Sequence, residues 1–312
     1  MSDVLTSDAI GQLLRSQLGE WPMAAGNYRA LEGVRVKSLD VEGMPFRVQF
    51  NPARIVSSGA KVDAASVKAR RCFLCGCNRP DCQKGLPWYG YTVLINPFPI
   101  FPRHFTIPAD SHTDQRIDGR IADMMRLAQA LEGYTVFYNG PRCGASAPDH
   151  MHFQTGNTDF LTLPDALAGC RLVRLCADGD SYMSVAHGLP MGVFVIDAND
   201  IAAGERLFRR LYDALPCQFA GEEPMMNLLC YATQESVRLA VIPRVKHRPS
   251  CYGADTPGSM LISPASVDVG GVFITPVEKD FEATDTGTIK SILSEVCMNP
   301  DQIASVVENM KL

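Results

Sequence analysis

In the stretch FYNGPRCGASAPDHMHFQ, residues 137–154, His150, His152 and Gln154 recur at every second position. On a β-strand that spacing sets all three side chains on one face, and a strand is expected over residues 150–154. Just upstream, Gly144-Ala145-Ser146 can bring backbone N–H groups and a hydroxyl up to an anion, as phosphate-binding loops do. An imidazole facing such a loop is a competent nucleophile toward phosphorus, because its ordinary pKa of about 6.5 leaves it neutral near pH 7. The H-x-H spacing by itself also suits a metal pair or a satisfied surface pair. The loop before it and the glutamine after it favour phosphate chemistry.

A second group lies in RRCFLCGCNRPDC, residues 70–82. Cys72-x-x-Cys75 is spaced for two thiolates on one tetrahedral zinc, which leaves two ligands to find. Cys77 and Cys82 offer an all-cysteine alternative. A redox C-x-x-C would need a strand before it and a helix after it, and neither pattern is present. His104, in PRHFTIP, either orients a neighbouring group or is a core histidine bonded to a backbone carbonyl. Arg103 and Arg142 are placed to meet a phosphate, but surface ion pairing is the default for a lone arginine, and neither is assigned to catalysis.

CGASAPDHMHFQ resembles the active-site signature of the histidine-triad superfamily, in the branch of the galactose-1-phosphate uridylyltransferases, where the last histidine of the triad is replaced by glutamine. The likeness extends to nucleoside-diphosphate-hexose phosphorylases and diadenosine tetraphosphate phosphorylases, which also carry the Asn139-Gly140 and Gly144-Ala145-Ser146 prelude. The resemblance implies that His152 takes up a nucleoside monophosphate covalently and that Gln154 holds a phosphate oxygen. It implies phosphate binding by Asn139, Gly144, Ala145 and Ser146. It also implies a structural zinc held by Cys72, Cys75, His112 and His150; on the residues alone, His104 could take the place of His112. A glutamine cannot act as a general acid, which favours transfer or phosphorolysis over hydrolysis.

SVDVGGVFITPVEKDFEATDTGTIKSILSEV echoes the closing segment of the GDP-hexose phosphorylases. A nucleoside diphosphate hexose is therefore the expected substrate, with phosphate or a sugar phosphate as acceptor. The alternatives are a dinucleoside polyphosphate phosphorylase or hydrolase, a nucleotide-binding regulator that keeps the pocket without the chemistry, and a zinc-knuckle interaction protein.

These residues need a scaffold, and the hydrophobic pattern indicates one. Residues 7–21 read as an amphipathic helix capped by Ser7, and residues 114–131 as a second with a broad apolar face. Strands are expected at 47–50, 91–96, 104–107 and 134–138, with an irregular knuckle over 71–90. Further along, strands are expected at 193–196, 226–231, 238–243 and 272–275, with helices over 201–215 and over 285–297 behind an Asp285/Thr286 cap. Many connections are too short to link parallel strands. The expected architecture is α+β, HIT-like, with largely antiparallel sheets, packed helices and two related halves. It divides into an N-terminal helical extension over 1–40, a catalytic half over 41–165 and a second half over 185–312.

Composition narrows the class. The 312 residues hold 29 Lys+Arg against 34 Asp+Glu, a net charge of −5 without basic blocks, which argues against a nucleic-acid or anionic-membrane binder. No apolar run approaches the roughly 20 residues that span a bilayer, and the first residues lack a secretory pattern. Eleven cysteines, an odd number, read as reduced thiols in a cytoplasm rather than as a disulfide framework. Oligomeric state is not legible.

Overall fold

The computed structural model describes residues 5–55, 63–218, 221–253 and 258–310. Among these residues thirteen strands form two sheets. The small one pairs β1 (Arg35–Val41) with β2 (Met44–Phe50) as a hairpin, and β13 (Val272–Thr275) joins β2 in parallel. The large one holds ten strands: β3 (Gly85–Trp88), β4 (Tyr91–Ile95), β5 (His104–Pro108), β6 (Tyr134–Asn139), β7 (His152–Asn157), β8 (Arg171–Asp178), β9 (Ser181–His187), β10 (Val193–Ala198), β11 (Met226–Ala232) and β12 (Val237–Pro243).

The order across the large sheet is β3-β4-β5-β7-β6-β11-β12-β10-β9-β8, a palindrome about the β6–β11 seam, with every neighbouring pair antiparallel. Each side places a helix between its third and fourth strands, Ile121–Ala130 in one and Ile201–Ala214 in the other. The two sides differ in one connection. Residues 140–151 join β6 to β7 and carry the motif, whereas β11 reaches β12 through the tight turn Thr233–Ser236.

Alternation along the strands feeds two cores, one on each sheet face. In β10, Phe194 and Ile196 pack with the helices Ser7–Glu20, Ile121–Ala130 and Ile201–Ala214, while Val193 and Val195 pack against the small sheet and the helix Thr286–Val296. The expected α+β architecture of largely antiparallel sheets and packed helices is met. Several boundaries move. The first helix is capped by Thr6, whose Oγ1 accepts the Ala9 N–H, and Ser7 instead donates to the Glu132 carbonyl. The helix expected over 114–131 runs only from Ile121 to Ala130, because Gly119 takes a left-handed φ of 72° and breaks the run before it.

The expected helical extension over 1–40 contains a second helix, Pro22–Glu32, and most of β1. Residues 166–184, outside both expected halves, supply the rest of a short helix, all of β8 and the start of β9. Gly270 and Gly271 do permit close backbone approach. Gly271 sits at φ 105°, and a Cβ there would fall 1.8 Å from Thr162 Oγ1.

Candidate functional site

His152 is the first residue of β7, directly after the 140–151 connection. Its backbone N–H donates to Gln115 Oε1 (2.8 Å), and Gln115 Nε2 donates to the carbonyls of His152 (3.1 Å) and Asn139 (3.0 Å). A single buried amide thus ties the start of β7 to the end of β6. The imidazole Nδ1 lies 2.8 Å from the His150 carbonyl. A carbonyl only accepts, so Nδ1 carries the proton and Nε2 keeps its lone pair. Burial is the main cause that holds this imidazole down to about 4, so it is neutral near pH 7.

Gln154 is fixed by a similar chain of one-way hydrogen bonds. The Ile100 N–H donates to His104 Nδ1 (3.1 Å), so the His104 proton sits on Nε2, which donates to Gln154 Oε1 (3.0 Å). Asn96 Nδ2 approaches the same oxygen at 3.4 Å. With its oxygen engaged, Gln154 has its Nε2 hydrogens left for a ligand. Burial keeps His104 neutral, its pKa pushed down to about 3, with the Arg54 charge adding to the effect.

His152, Gln154, Asn139, Gly144, Ala145 and Ser146 all line one cavity of about 520 Å³. Gly144 takes φ 94°, and a Cβ at that position would lie 2.5 Å from Ala265 Cβ, so only glycine lets the loop pass. Three guanidinium groups, Arg54, Arg70 and Arg248, line the same cavity beside a single carboxylate, Asp268. Arg54 Nη1 donates to the Phe98 carbonyl (2.7 Å), and Arg70 Nη2 to the Ser146 carbonyl (2.9 Å) and Asp149 (3.3 Å). Among the described residues, neither the buried Nε of Arg54 nor that of Arg70 has an acceptor. A cavity so lined favours a polyanion.

Behind the cavity, Cys72, Cys75, His112 and His150 bring their ligand atoms within 4.8 Å of one another. Cys72 Sγ is 3.2 Å from His150 Nδ1, and Cys75 Sγ is 3.2 Å from His112 Nδ1. His150 Nε2 lies 2.8 Å from the Ala109 carbonyl, so its proton sits there and Nδ1 is the nitrogen free to ligate. Two thiols and two imidazole nitrogens form a donor set suited to a tetrahedral ion. Asn78 Nδ2 donates to the Cys72 carbonyl, and Arg79 Nε and Nη2 to that of Leu74, bracing the knuckle. Cys77 is exposed, Cys82 packs against the main core and His104 faces Gln154, so these three lie apart from the cluster.

Contrary to the expectation from spacing, His150, His152 and Gln154 do not share a strand face, since β7 begins at His152 and His150 sits in the preceding bend. The His150 ring turns to the thiols, while His152 and Gln154 turn to the cavity. Arg142 pairs with Glu222 (2.7 Å) and Arg103 donates to the Tyr134 hydroxyl (3.5 Å). Gln115, Arg54 and Arg70 carry no signal in the sequence. Gln115 lies in a stretch that reads as helix, and the two arginines belong to no recognisable spacing.

Residues 13–157 match the family described as a domain of unknown function, DUF4922, a span that includes the knuckle and the whole H-x-H-x-Q motif. Among curated proteins, diadenosine 5',5'''-P1,P4-tetraphosphate phosphorylase 2 of Saccharomyces cerevisiae is 29% identical over 115 residues, covering 32% of this chain and 33% of that protein. The match thus spans about a third of that relative's length. The crystal structure of yeast Ap4A phosphorylase Apa2 superposes with a TM-score of 0.58 at 17% identity, over 89% of this chain and 94% of that one. Its complex with AMP gives 0.59 at 18% identity over 93% and 96%, and its complex with Ap4A gives 0.57 at 17% over 89% and 97%. At these identities the likeness is one of fold. Among the described residues no helix is long and apolar enough to cross a membrane.

Proposed function

We propose that this chain, whose fold and motif bear out its resemblance to the uridylyltransferase–phosphorylase branch of the histidine-triad superfamily, is a nucleotidyl-transferring phosphorylase of dinucleoside polyphosphates. The observation that carries the reading is the tautomer of His152: with Nδ1–H given to the His150 carbonyl, Nε2 is a neutral nucleophile at the cavity. Nε2 attacks the α-phosphorus of a nucleotide, the P–N bond forms, and the bridging P–O bond breaks to release a nucleoside polyphosphate. The carbonyl steadies the positive charge that develops on the ring. Gln154 donates to a non-bridging oxygen, and Ser146 with the amides of its loop takes the departing phosphate. A phosphate leaves without protonation, so no general acid is needed. Inorganic phosphate then attacks the nucleotidyl-histidine and leaves as a nucleoside diphosphate, which makes the kinetics ping-pong.

The substrate preference shifts from the sequence expectation. The relatives named for dinucleoside tetraphosphate chemistry, together with three guanidinium groups facing one carboxylate, support a polyphosphate chain over a nucleoside diphosphate hexose. A zinc ion on Cys72, Cys75, His112 and His150 would fix His150, whose carbonyl orients the nucleophile, without touching substrate. We take β3–β7 and β8–β12 as the two related halves, so that the second starts near Arg171, ahead of the expected 185, and the first has its boundary at 165. A cytoplasmic location belongs to the same proposal. Product analysis tests it: with diadenosine tetraphosphate, phosphate should be required, and ADP and ATP should form in equal amounts. Turnover without phosphate, or turnover confined to nucleotide sugars, contradicts the reading.

A further inference from the structure

The β6–β11 seam sets Asn227 directly opposite Asn139. Asn227 is fully buried, and its two Nδ2 hydrogens serve three acceptors, one hydrogen being shared: Asn139 Oδ1 (3.1 Å), the Cys143 carbonyl (2.8 Å) and Ser266 Oγ (3.1 Å). Asn139 Oδ1 also accepts the Ser266 N–H (2.8 Å). Both acceptor positions of that oxygen are therefore filled from the protein, which leaves the Asn139 amide hydrogens as its face toward the cavity it lines.

What keeps Asn227 from turning over is Arg244. This residue is 1% exposed, a guanidinium in the interior with no carboxylate among its hydrogen-bond partners in the described residues. Its five N–H groups all go to neutral oxygens: Nε to the Val296 carbonyl (3.0 Å), Nη1 to Asn227 Oδ1 (2.5 Å) and the Pro264 carbonyl (3.1 Å), Nη2 to the carbonyls of Lys246 and His247 (both 3.1 Å). Burying a charge in this way is expensive, and an apolar side chain would pack there at lower cost. A permanent donor at Asn227 Oδ1 is what an apolar side chain cannot supply. It fixes the amide of Asn227, which fixes the amide of Asn139.

We infer that Arg244 is a positioning residue for the phosphate site: acting through Asn227, it presents the Asn139 amide as a donor to a bound phosphate oxygen. The inference rests on the phosphate-binding role proposed above for Asn139. It also gives the second half of the sheet, which lacks the nucleophile loop, a part in the chemistry of the first.

The test is a double-mutant cycle on the single-turnover rate of His152 nucleotidylation by diadenosine tetraphosphate, with thermal unfolding followed alongside. Asn139→Ala and Asn227→Ala should each slow the reaction about tenfold or more, the loss of one well-aligned hydrogen bond to a charged phosphate. The double variant should be no slower than Asn139→Ala, because Asn227 then orients a group already gone. Arg244→Lys keeps the charge but not the fork, and should slow the wild-type background while leaving the Asn139→Ala background unchanged. Multiplying effects, or full speed in Asn227→Ala, would overturn the inference. If the Asn227 double variant does not fold, the Arg244→Lys cycle answers the same question. Were the wild-type chain to form no adduct, the nucleotidyl-transfer reading would fall, and the same cycle on AMP affinity would still decide the positioning role.

Discussion

Glu223 is 6% exposed and packs against Tyr138, near the end of β6 that leads into the 140–151 connection. One of its oxygens accepts the Ile117 N–H (2.9 Å), the other accepts the Tyr138 hydroxyl, and the neighbouring Glu222 holds Arg142 of the loop. Burial pushes its pKa up from 4.5 to about 7, against the pull of those two hydrogen bonds and the Arg116 charge. The folded state therefore favours the neutral acid. Its contribution is fully present below pH 4.5 and is lost as pH rises through 7. A displacement from 4.5 to about 7 corresponds to about 3 kcal/mol at 1.36 kcal/mol per unit. Urea unfolding of wild type and Glu223→Gln between pH 5 and pH 8 isolates this group, because the buried neutral histidines contribute equally to both proteins. Relative to the variant, wild type should lose about 2–3 kcal/mol across that range, the rest of the contribution having gone below pH 5. A gap that stays constant with pH would refute the assignment of a neutral buried Glu223.

Other substitutions probe the site itself. Gln115→Ala strands the buried His152 N–H and two carbonyls, and should cost about 2–4 kcal/mol in denaturant unfolding and slow adduct formation. An undisturbed protein would mean that Gln115 does not carry the strand junction. Gly144→Ala drives a Cβ to 2.5 Å from Ala265 Cβ at φ 94°, so phosphate affinity measured calorimetrically should fall well below wild type, and unchanged binding would contradict the loop's role. Elemental analysis should find about one zinc per wild-type chain and far less in Cys75→Ser, and a metal-free wild type would remove the proposed ion.

What can be read from sequence depends on how local the signal is. The loop, His152, Gln154 and the Cys72–Cys75 knuckle sit in short runs whose residue types carry the chemistry, and they come together around one cavity and one cluster. Spacing misplaces the start of β7 because H-x-H alternates equally well with or without ladder pairing, and only the Ala109 and His150 carbonyls decide which way each ring turns. β8 is hidden in the sequence because it is an edge strand with a bulge between Arg174 and Cys176 and no clean alternation of burial. Gln115 is absorbed into an apparent helix that Gly119 interrupts. Arg244 and Asn227 meet Asn139 only across the β6–β11 seam, from distant parts of the chain, and no spacing rule links them.

The central claim is a covalent nucleotide on His152. Intact-protein mass after mixing with diadenosine tetraphosphate in the absence of phosphate tests it most directly. The account predicts a gain of one AMP in wild type, none in His152→Ala, and discharge of the adduct as ADP when phosphate is added. Tight binding of the nucleotide with no mass gain, or an adduct that persists in His152→Ala, would contradict it.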